Sequence, residues 1–541
     1  MRKWLPLLTV CLGTFMLLID VTIVNVALPS MVVDLHASFG ALQWVVDAYA
    51  LALAALVLGA GSVADIAGHR RAYIGGLALF ALSSLMCGLS PNPGVLVAAR
   101  AVQGVGAAAM FATNFPLLNA SYAGRDRGTA YGVWGAVAGA SSAIGPIVGG
   151  VLTQYVSWRW IFFVNLPVSA IAIVLAVVVL TDSRSPRRVP VDVPGIVAFS
   201  ASAASVTYAL IRANDDGWSN PGVWLLLAAA VVLLAVFVAL EARSKHPMFD
   251  LALLRNRRFV GVLVAGLLMT FAAFSAFTYT SIWLQSVIRM TPLQSGLTGI
   301  PLSITAFFAS ALLGRFLHER RADLVLGTGL ALIGLGGLVG ALMVHGPAHW
   351  PQLVAGFAII GIGVGISTPM LGSVSMSLVP VERTGMAAGA VNTTRQLGYA
   401  FGIAALGSVF VARAEHELSG QGVAAHSKVA HAIAGGQAPG VLGATPAPAR
   451  PALDSAVHTA GVAGVQATFL VAGVVGILAA VLVVILMRPA KPATATPAEE
   501  SPPPERPDLP LPAEASERAE ETERATTPEQ AEERATVESG S

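Results

Sequence analysis

The stretch LLIDVTIVNVALP, residues 17–29, places one carboxylate, Asp20, inside an apolar segment that runs from residue 5 to residue 29. A helix needs about 20 residues to cross a bilayer, so this segment is long enough to do so. A charge at that depth costs roughly 2.5–3.5 kcal/mol on insertion scales and therefore marks a functional position. A proton-driven carrier requires such a carboxylate, one that takes up and releases a proton. The segment has no small-residue cleavage signature, which predicts a retained span rather than a signal peptide.

The composition of the whole chain is typical of a membrane protein. Its 541 residues are 55% hydrophobic and 11% charged, with a mean hydropathy of +0.72. Soluble domains carry about 25% charged residues, so the chain belongs to the multi-span class. The net charge of +2 combines basic loops with an acidic tail. Cys11 and Cys87 both lie in apolar segments, which excludes a disulfide framework and a CxxC metal or redox motif.

Fourteen segments are apolar and long enough to span a membrane, and they predict an all-α polytopic protein. They cover residues 5–29, 41–64, 72–90, 95–120, 128–152, 159–181, 193–212, 222–241, 259–284, 293–314, 324–344, 351–376, 385–411 and 461–487. Cytoplasmic loops carry an excess of Lys and Arg. The loops and termini on one face hold 20 of these residues and those on the opposite face hold six, which predicts that both termini are cytoplasmic.

Two segments are not predicted to span the membrane. Residues 413–460 are rich in Gly, Ala, His and Pro, and we expect a long external loop. Residues 488–541 are rich in Pro, Ala and Glu and predict a disordered acidic cytoplasmic tail. The tail either binds a partner or only solvates the C-terminus.

The first six and the last six spans show the same glycine spacing. Spans 5 and 13 begin at Gly128 and Gly385, and each has further glycines 4 and 17 residues later. Repeated bundles around a central site are common in secondary transporters. We therefore predict an N-terminal six-helix bundle at 1–181 and a C-terminal one at 259–487. Two further spans and an amphipathic cytoplasmic segment lie between them at 182–258.

Four motifs carry polar residues and glycines at spacings that a simple span does not need. They are DVTIVNVALP at 20–29, GSVADIAGHRR at 61–71, RAVQGVG at 100–106, and Gly132-x8-Ser141-x3-Gly145-Pro146-x2-Gly149-Gly150 in span 5. Together they resemble the major facilitator superfamily, and more narrowly its fourteen-span drug:proton antiporters of the EmrB/QacA type. Two supporting segments, WRWIFFVNLP at 158–167 and HPMFDLALLRNRRF at 246–259, look like the same subfamily. The resemblance covers residues 5–487 and implies the major facilitator fold, with two six-helix bundles plus two central helices.

The resemblance implies that Asp20 carries or senses the proton and that Arg100 couples this proton to conformation. Arg100 and Gln103 lie three residues apart and share one helix face. Two alternatives stay open from the residues alone. Either an arginine holds Asp20 charged permanently, or Arg100, about 8 Å from the outer end of its span, extends to the membrane surface.

The loop after span 2 is expected to form a cytoplasmic gate. The gate residues that the resemblance implies are Gly61, Asp65, Gly68, Arg70 and Arg71. Asp65 can interact with a helix N-terminus or with loop arginines. The alternative is a pure topology signal, which does not explain the Gly/Asp/Gly spacing. The departures from the superfamily pattern, which put the pairing in doubt, are Val63, Ile66 and His69.

The motif in span 5 resembles the antiporter motif, which exporters carry and uptake symporters usually lack. Its residues are Gly132, Ser141, Gly145, Pro146, Gly149 and Gly150, with Ser141 in place of a glycine. Small residues allow helices to approach closely, and a proline bends a helix. The resemblance implies that these residues shape the bundle interface, whereas the alternative is ordinary helix packing.

Several polar and aromatic residues are candidates for the wall of a central cavity. The polar candidates are Asn25, Asp47, Gln103, Asn392 and Arg395, and the aromatic ones are Phe111, Phe115, Phe274, Tyr279 and Trp283. Arg395 lies about 16 Å from the cytoplasmic end of span 13, too deep for a topology signal. Its alternative role is a helix-packing ion pair. Asp47 is either an acid at the cavity mouth or a solvated residue at the outer end of span 2.

Motifs for other functions are missing from the sequence. There is no GxxxxGK[ST], no HExxH and no histidine deep within a span, so neither an enzyme, a metal site nor a cofactor is expected. No nucleic-acid role is indicated.

We expect a carrier in a bacterial cell membrane that exports a small amphipathic drug or antibiotic in exchange for protons. An uptake symporter and a non-transporting membrane sensor are the alternatives.

Overall fold

The computed structural model describes residues 2–35, 39–181, 191–317, 321–346 and 349–488, and these residues form helices and connecting turns without a strand. Fourteen of the helices are long. They are α1 (Leu5–Asp34), α2 (Phe39–Ala67), α3 (His69–Gly88), α4 (Pro93–Ser121), α5 (Gly124–Tyr155), α7 (Asn165–Val179), α8 (Val193–Asp216), α9 (Pro221–Arg243), α10 (Arg257–Ser286), α12 (Ile300–Leu317), α13 (Ala322–Met343), α14 (Val354–Ser377), α15 (Thr384–Gly420) and α18 (Arg450–Met487). The short helices are α6 (Trp160–Phe163), α11 (Pro292–Leu297), α16 (His426–Ala434) and α17 (Ala438–Ala444).

The predicted spans are confirmed, because each coincides with one long helix or with a short and a long helix in series. Thirteen helical segments among the described residues are long and apolar enough to cross a membrane. The fourteenth span corresponds to α5, whose 32 residues give a length of about 48 Å. Its N-terminal GRDRG and its many Gly and Ser residues lower its hydropathy. The chain is therefore a multi-pass, all-α membrane protein.

Short sequence signals set the beginnings of several helices. The side chain of Asn92 accepts a hydrogen bond from the backbone N–H of Val95, and Pro93 follows as the first residue of α4. Asn220 and Pro221 start α9 in the same way. Asparagine satisfies one of the unpaired N–H groups of a first helical turn, and proline lacks the N–H that would have no partner there.

Helix packing divides most of the long helices into two groups. In the first, α1 packs against α5 and α7, and α4 packs against α2 and α3. In the second, α13 packs against α14 and α18, α10 against α15 and α18, and α12 against α14. The groups meet where α5 contacts α12 and where α2 contacts α15. Helix α9 packs mainly on α8 and leaves large apolar side chains such as Leu225 exposed, as expected for a lipid-facing helix.

The segment 413–460 differs from the predicted loop because most of it is helical. Helix α15 continues to Gly420, α18 begins at Arg450, and α16 and α17 lie between them. Helix α16 buries Val429 and Ile433 against the core of the second group. The many alanines of the segment favour helix, whereas its Gly and Pro residues suggested a loop. The predicted tail beyond residue 488 lies outside the described residues.

Candidate functional site

Asp20 lies at the centre of a fully buried polar cluster. Its side chain, on α1, has no exposed surface, and that of Arg100 on α4 is 1% exposed. Arg100 Nη1 donates to Asp20 Oδ2 at 2.5 Å. The amide nitrogens of Gln103 on α4 and Asn165 on α7 donate to Asp20 Oδ1 at 3.2 and 3.0 Å. Each carboxylate oxygen thus accepts at least one hydrogen bond, as buried polar groups require.

Arg100 is held on all sides rather than extended to the membrane surface. Its Nε donates to the carbonyl oxygen of Val45 on α2 at 3.0 Å, and its Nη1 also donates to Gln103 Oε1 at 2.7 Å. The guanidinium lies 4.2 Å from the ring centroid of Tyr49, also on α2, in cation–π geometry. The structure therefore contradicts the alternative in which Arg100 extends outward. Three helices, α1, α2 and α4, meet at its guanidinium.

Asn165, which contacts Asp20 directly, was missed in the sequence. It lies in the segment 158–167, which supports the family resemblance but contains no predicted site residue. The structure places Asn165 at the beginning of α7, where its amide nitrogen also donates to Ser84 Oγ on α3 at 3.1 Å. A buried amide within an otherwise apolar span was the available signal, because buried polar groups need partners.

Removing the cation from this cluster leaves a buried acid without its counter-charge. We expect Arg100→Met to lower the free energy of unfolding by about 3–5 kcal/mol, and Asp20→Asn in the same chain to restore much of it. A double-mutant cycle by SDS-induced unfolding measures this. The control is Arg159→Met, because the Arg159–Asp34 pair is partly exposed and contributes less than about 1 kcal/mol. Equal losses in the two single variants would contradict the expectation.

Asp65, near the end of α2, contacts the beginning of α15 in the second group of helices. Its Oδ1 and Oδ2 accept hydrogen bonds from the backbone N–H groups of Gly385 and Met386 at 2.7 and 2.8 Å. These N–H groups belong to the first turn of α15 and have no partner within the helix. A carboxylate there also interacts favourably with the helix dipole, by about 0.3–2 kcal/mol. The contact joins α2 of the first group to α15 of the second.

Glycines make the contact between α2 and α15 possible. A Cβ atom on Gly61 would lie 2.2 Å from the carbonyl oxygen of Gly385, and one on Gly385 would lie 2.4 Å from that of Gly61. Gly389 approaches the backbone of Leu58 in the same manner. Gly68, between α2 and α3, has φ 103°, a conformation that favours glycine. The Gly/Asp/Gly spacing of the loop thus has a steric basis.

Of the basic residues in this loop, His69 lies beside Asp65, whereas Arg70 contacts a different helix. His69 Nε2 lies 3.1 Å from Asp65 Oδ1, one helical turn away. Of the two partners predicted for Asp65, a helix N-terminus or a loop arginine, Arg70 is not the one observed, because it donates to the carbonyl oxygen of Val177 on α7. Arg71 lies in the first turn of α3. The partner of Asp65 is therefore the N-terminus of α15 together with His69, while Arg70 ties α3 to α7 within the first group.

A strap, residues 246–250 between α9 and α10, adds a second connection at this end. Ser62 Oγ on α2 donates to the carbonyl oxygen of Met248 at 3.0 Å, and Arg383, just before α15, forms an ion pair with Asp250. Phe249 N donates to Glu241 Oε2 at 3.2 Å. The amphipathic pattern predicted a surface segment but not these contacts. The strap thus contacts both α2 and the residue just before α15.

The glycines of α5 pack against α1 directly after Asp20. A Cβ atom on Gly145 would lie 1.8 Å from Thr22 Oγ1, and one on Gly149 would lie 2.8 Å from a side-chain carbon of Ile23. At the other end of the motif, the carbonyl oxygen of Gly132 accepts from Ser310 Oγ on α12 at 2.8 Å. Ser141 is buried and donates to its own helix. Helix α5 therefore contacts both the helix of Asp20 and the second group.

We expect Gly145→Ala to impair transport and Gly150→Ala to be tolerated. The added methyl group at 145 overlaps the hydroxyl of Thr22, whereas at 150 the nearest atom, from Leu293, lies at an ordinary 3.6 Å. Transport rates of the two variants, at matched amounts in the membrane, measure the difference. Thr22→Ala should partly rescue Gly145→Ala. Equal activity of the two glycine variants would contradict a specific contact between α1 and α5.

The other predicted cavity residues are spread over several helices. Asn392 on α15 donates to the carbonyl oxygen of Phe111 on α4 at 3.2 Å, and Arg395 lies one turn further along α15. Asp47 on α2 is half-buried. The side chains of Asn25 and Pro146 lie outside the part of the structure that can be described. Three aromatic residues are buried in helix packing and do not line an open cavity: Phe115, Tyr279 and Trp283.

Comparisons with known proteins agree with this architecture. The sequence profile of the Major Facilitator Superfamily matches residues 10–403. Multidrug resistance protein Stp of Mycobacterium tuberculosis is 35% identical over 75% of this chain and 76% of its own length. The tetracenomycin C resistance and export protein of Streptomyces glaucescens is 33% identical over 92% of this chain and 94% of its own length. Puromycin resistance protein pur8 of Streptomyces alboniger is 34% identical, over 75% and 82%.

A solved structure shares the fold. The human organic anion transporter MFSD10 (TETRAN) superposes with a TM-score of 0.60, at 14% sequence identity, over 89% of this chain and 99% of its own. At that identity the similarity concerns the fold alone. The profile match, the relatives and the helix arrangement together confirm the resemblance seen in the four motifs, and the chain belongs to the Major Facilitator Superfamily.

Proposed function

We propose that this protein is an efflux carrier that exports small amphipathic drugs or antibiotics from a bacterial cell in exchange for protons. The buried pair of Asp20 and Arg100 is the observation that carries the proposal, because a charge is rarely placed inside a membrane span without a functional role. The relatives support export, since their names describe multidrug resistance and the resistance to and export of tetracenomycin C. An uptake symporter is less favoured, because α5 carries the motif typical of exporters.

The proton cycle that we propose centres on Asp20 and on the three helices that meet there, α1, α4 and α7. In the described state Asp20 is paired with Arg100 and receives hydrogen bonds from Gln103 and Asn165. Protonation of Asp20 would neutralise its carboxylate and so weaken the ion pair with Arg100. The Arg100 guanidinium would then be free to form hydrogen bonds with other groups. Helix α1 would then shift against α5 at the contact of Thr22 with Gly145. The proton thus acts by changing how α1 packs.

Alternating access would follow from the two groups of helices moving relative to each other. The bundles 1–181 and 259–487 would rock about the central site, with α8 and α9 between them. The Asp65 contact and the strap close the end that we assign to the cytoplasm, because the Lys and Arg residues concentrate there. Opening requires that Asp65 leave the N-terminus of α15. Both termini would lie in the cytoplasm.

Uptake of labelled drug into everted membrane vesicles tests the proposal. Respiration acidifies the lumen of such vesicles, so an exporter should accumulate tetracenomycin C, puromycin or ethidium inside them. Nigericin, which collapses the pH gradient, should abolish the accumulation. Accumulation that is insensitive to nigericin would contradict proton coupling. If none of these compounds accumulated above the level of vesicles without the protein, export of amphipathic drugs would be contradicted.

A further inference from the structure

Arg395 lies deep in α15, and no carboxylate in the described part of the chain pairs with it. It follows the first residue of α15 by eleven positions, about 16 Å along the helix axis, which is near the middle of a bilayer. Within the described ranges, the polar contact of its guanidinium is a long one, from Nη1 to Asn392 Oδ1 at 3.5 Å. Its Nε is buried and has no hydrogen-bond partner. In contrast, the other deep arginine, Arg100, is fully engaged by Asp20 and its neighbours.

The neighbours of Arg395 show where its side chain lies. A Cβ atom on Gly266 of α10 would lie 3.3 Å from Arg395 Cγ, so the side chain packs beside α10. Asn392, one turn earlier, reaches the backbone of Phe111 on α4 in the other group of helices. The Arg395 side chain is half-buried rather than closed off. It therefore lies beside α10, one helical turn from the point where α15 meets α4 of the other group.

A cation in this position is costly unless something balances it. Arginine keeps its charge, and at mid-membrane it costs roughly 2.5–3.5 kcal/mol on insertion scales. A helix-packing ion pair, the alternative interpretation of Arg395, is contradicted for the described residues by the contacts above. Since no carboxylate among the described residues pairs with Arg395, a bound anion is the candidate for the balancing charge. An Arg guanidinium binds carboxylates in a fixed, two-pronged geometry, which makes it selective for planar anions.

We infer that Arg395 binds an acidic group of the exported compound, so that the substrate class is amphipathic organic anions. This inference rests on the proposed function and deepens it. The apolar part of the compound would pack beside α10, and its carboxylate or acidic enol would occupy the free Nε side of Arg395. Two hydroxyl groups 3.1 Å apart, those of Thr278 on α10 and of Tyr399 one turn beyond Arg395 on α15, would serve as additional donors.

Equilibrium binding of two matched probes tests the inference. The probes are 1-pyrenebutyrate, an amphipathic anion, and 1-pyrenebutanol, its neutral counterpart, and both can be detected by energy transfer from tryptophan. The wild-type protein in lipid nanodiscs should bind the anion about tenfold or more tightly than the alcohol. Arg395→Gln should abolish this preference and leave the affinity for the alcohol unchanged. Arg395→Lys should retain part of the preference.

Arg413→Gln is the matched control, because Arg413 lies on the same helix but is exposed. It should behave like the wild-type protein. Binding of the alcohol shows that each variant is folded. No preference in the wild-type protein, or a preference that survives Arg395→Gln, would overturn the inference. Because binding requires no transport, a missing preference in a protein that still exports drugs would overturn this inference alone.

Discussion

Asp20→Asn reduces drug uptake into everted vesicles to the level of vesicles that lack the protein. An amide does not exchange a proton in this way, so the variant has no means of coupling. It also fits poorly, because Asp20 accepts hydrogen bonds on both oxygens from Arg100, Gln103 and Asn165. Either orientation of an asparagine would turn its NH2 group toward a donor, and Arg100 would lose its counter-charge. Initial rates with an imposed pH gradient measure the effect.

Asp126→Asn is the control for this variant. Asp126 pairs with Lys3 at 2.7 Å, and both side chains are largely exposed, so its loss should leave transport unchanged. Asp20→Glu keeps a titratable group on a longer side chain and should retain partial activity. If Asp20→Asn transported drug at the wild-type rate, the proton site would lie elsewhere, and Asp47 on α2 would be tested next.

Gly61→Ala prevents closure of the end of the molecule that Asp65 holds. Its methyl group would lie 2.2 Å from the backbone oxygen of Gly385, and backbone cannot move aside as a flexible side chain does. Helices α2 and α15 must separate, so Asp65 loses the N–H groups of Gly385 and Met386. The expected result is a protein held open at this end, with transport near the background level.

Distances between spin labels measure this opening. Arg125→Cys and Glu382→Cys place labels at exposed positions in the first turn of α5 and just before α15, whereas the native Cys11 and Cys87 are buried. The label distance should increase in Gly61→Ala and stay unchanged in Gly75→Ala. Gly75 is the matched control, because a Cβ atom there meets nothing within 4 Å. A wild-type distance in Gly61→Ala would contradict the role of the glycine contact.

Much of the fold was predictable, because span length and hydropathy depend only on local sequence. The fourteen spans coincide with long helices, although α15 and α18 extend beyond their predicted ends. Part of the polar cluster could also be predicted from the sequence, since Arg100 and Gln103 share one face of α4 and Asp20 is an isolated acid in α1. These residues stand out because charged and amide groups are rare within apolar spans.

The contacts between distant helices were not predictable in the same way. Asn165 and Ser84 reach the cluster from α7 and α3, and their spacing in the sequence gives no sign of this. The partners of Asp65 on α15 are backbone N–H groups, which every helix start presents and which no side-chain pattern identifies. The strap was recognised as amphipathic, but its hydrogen bond to Ser62 and its ion pair with Arg383 depend on how the helices assemble.

Proton movement triggered by drug is the most direct test of the claim that Asp20 couples the two fluxes. Purified protein is reconstituted into liposomes that have an acidic lumen and contain a pH-sensitive dye. Drug is then added outside, to wild-type and Asp20→Asn protein. The lumen of the wild-type liposomes should become more alkaline as drug enters and protons leave, and the pH should not respond in the variant. A response of equal size in Asp20→Asn would contradict the account.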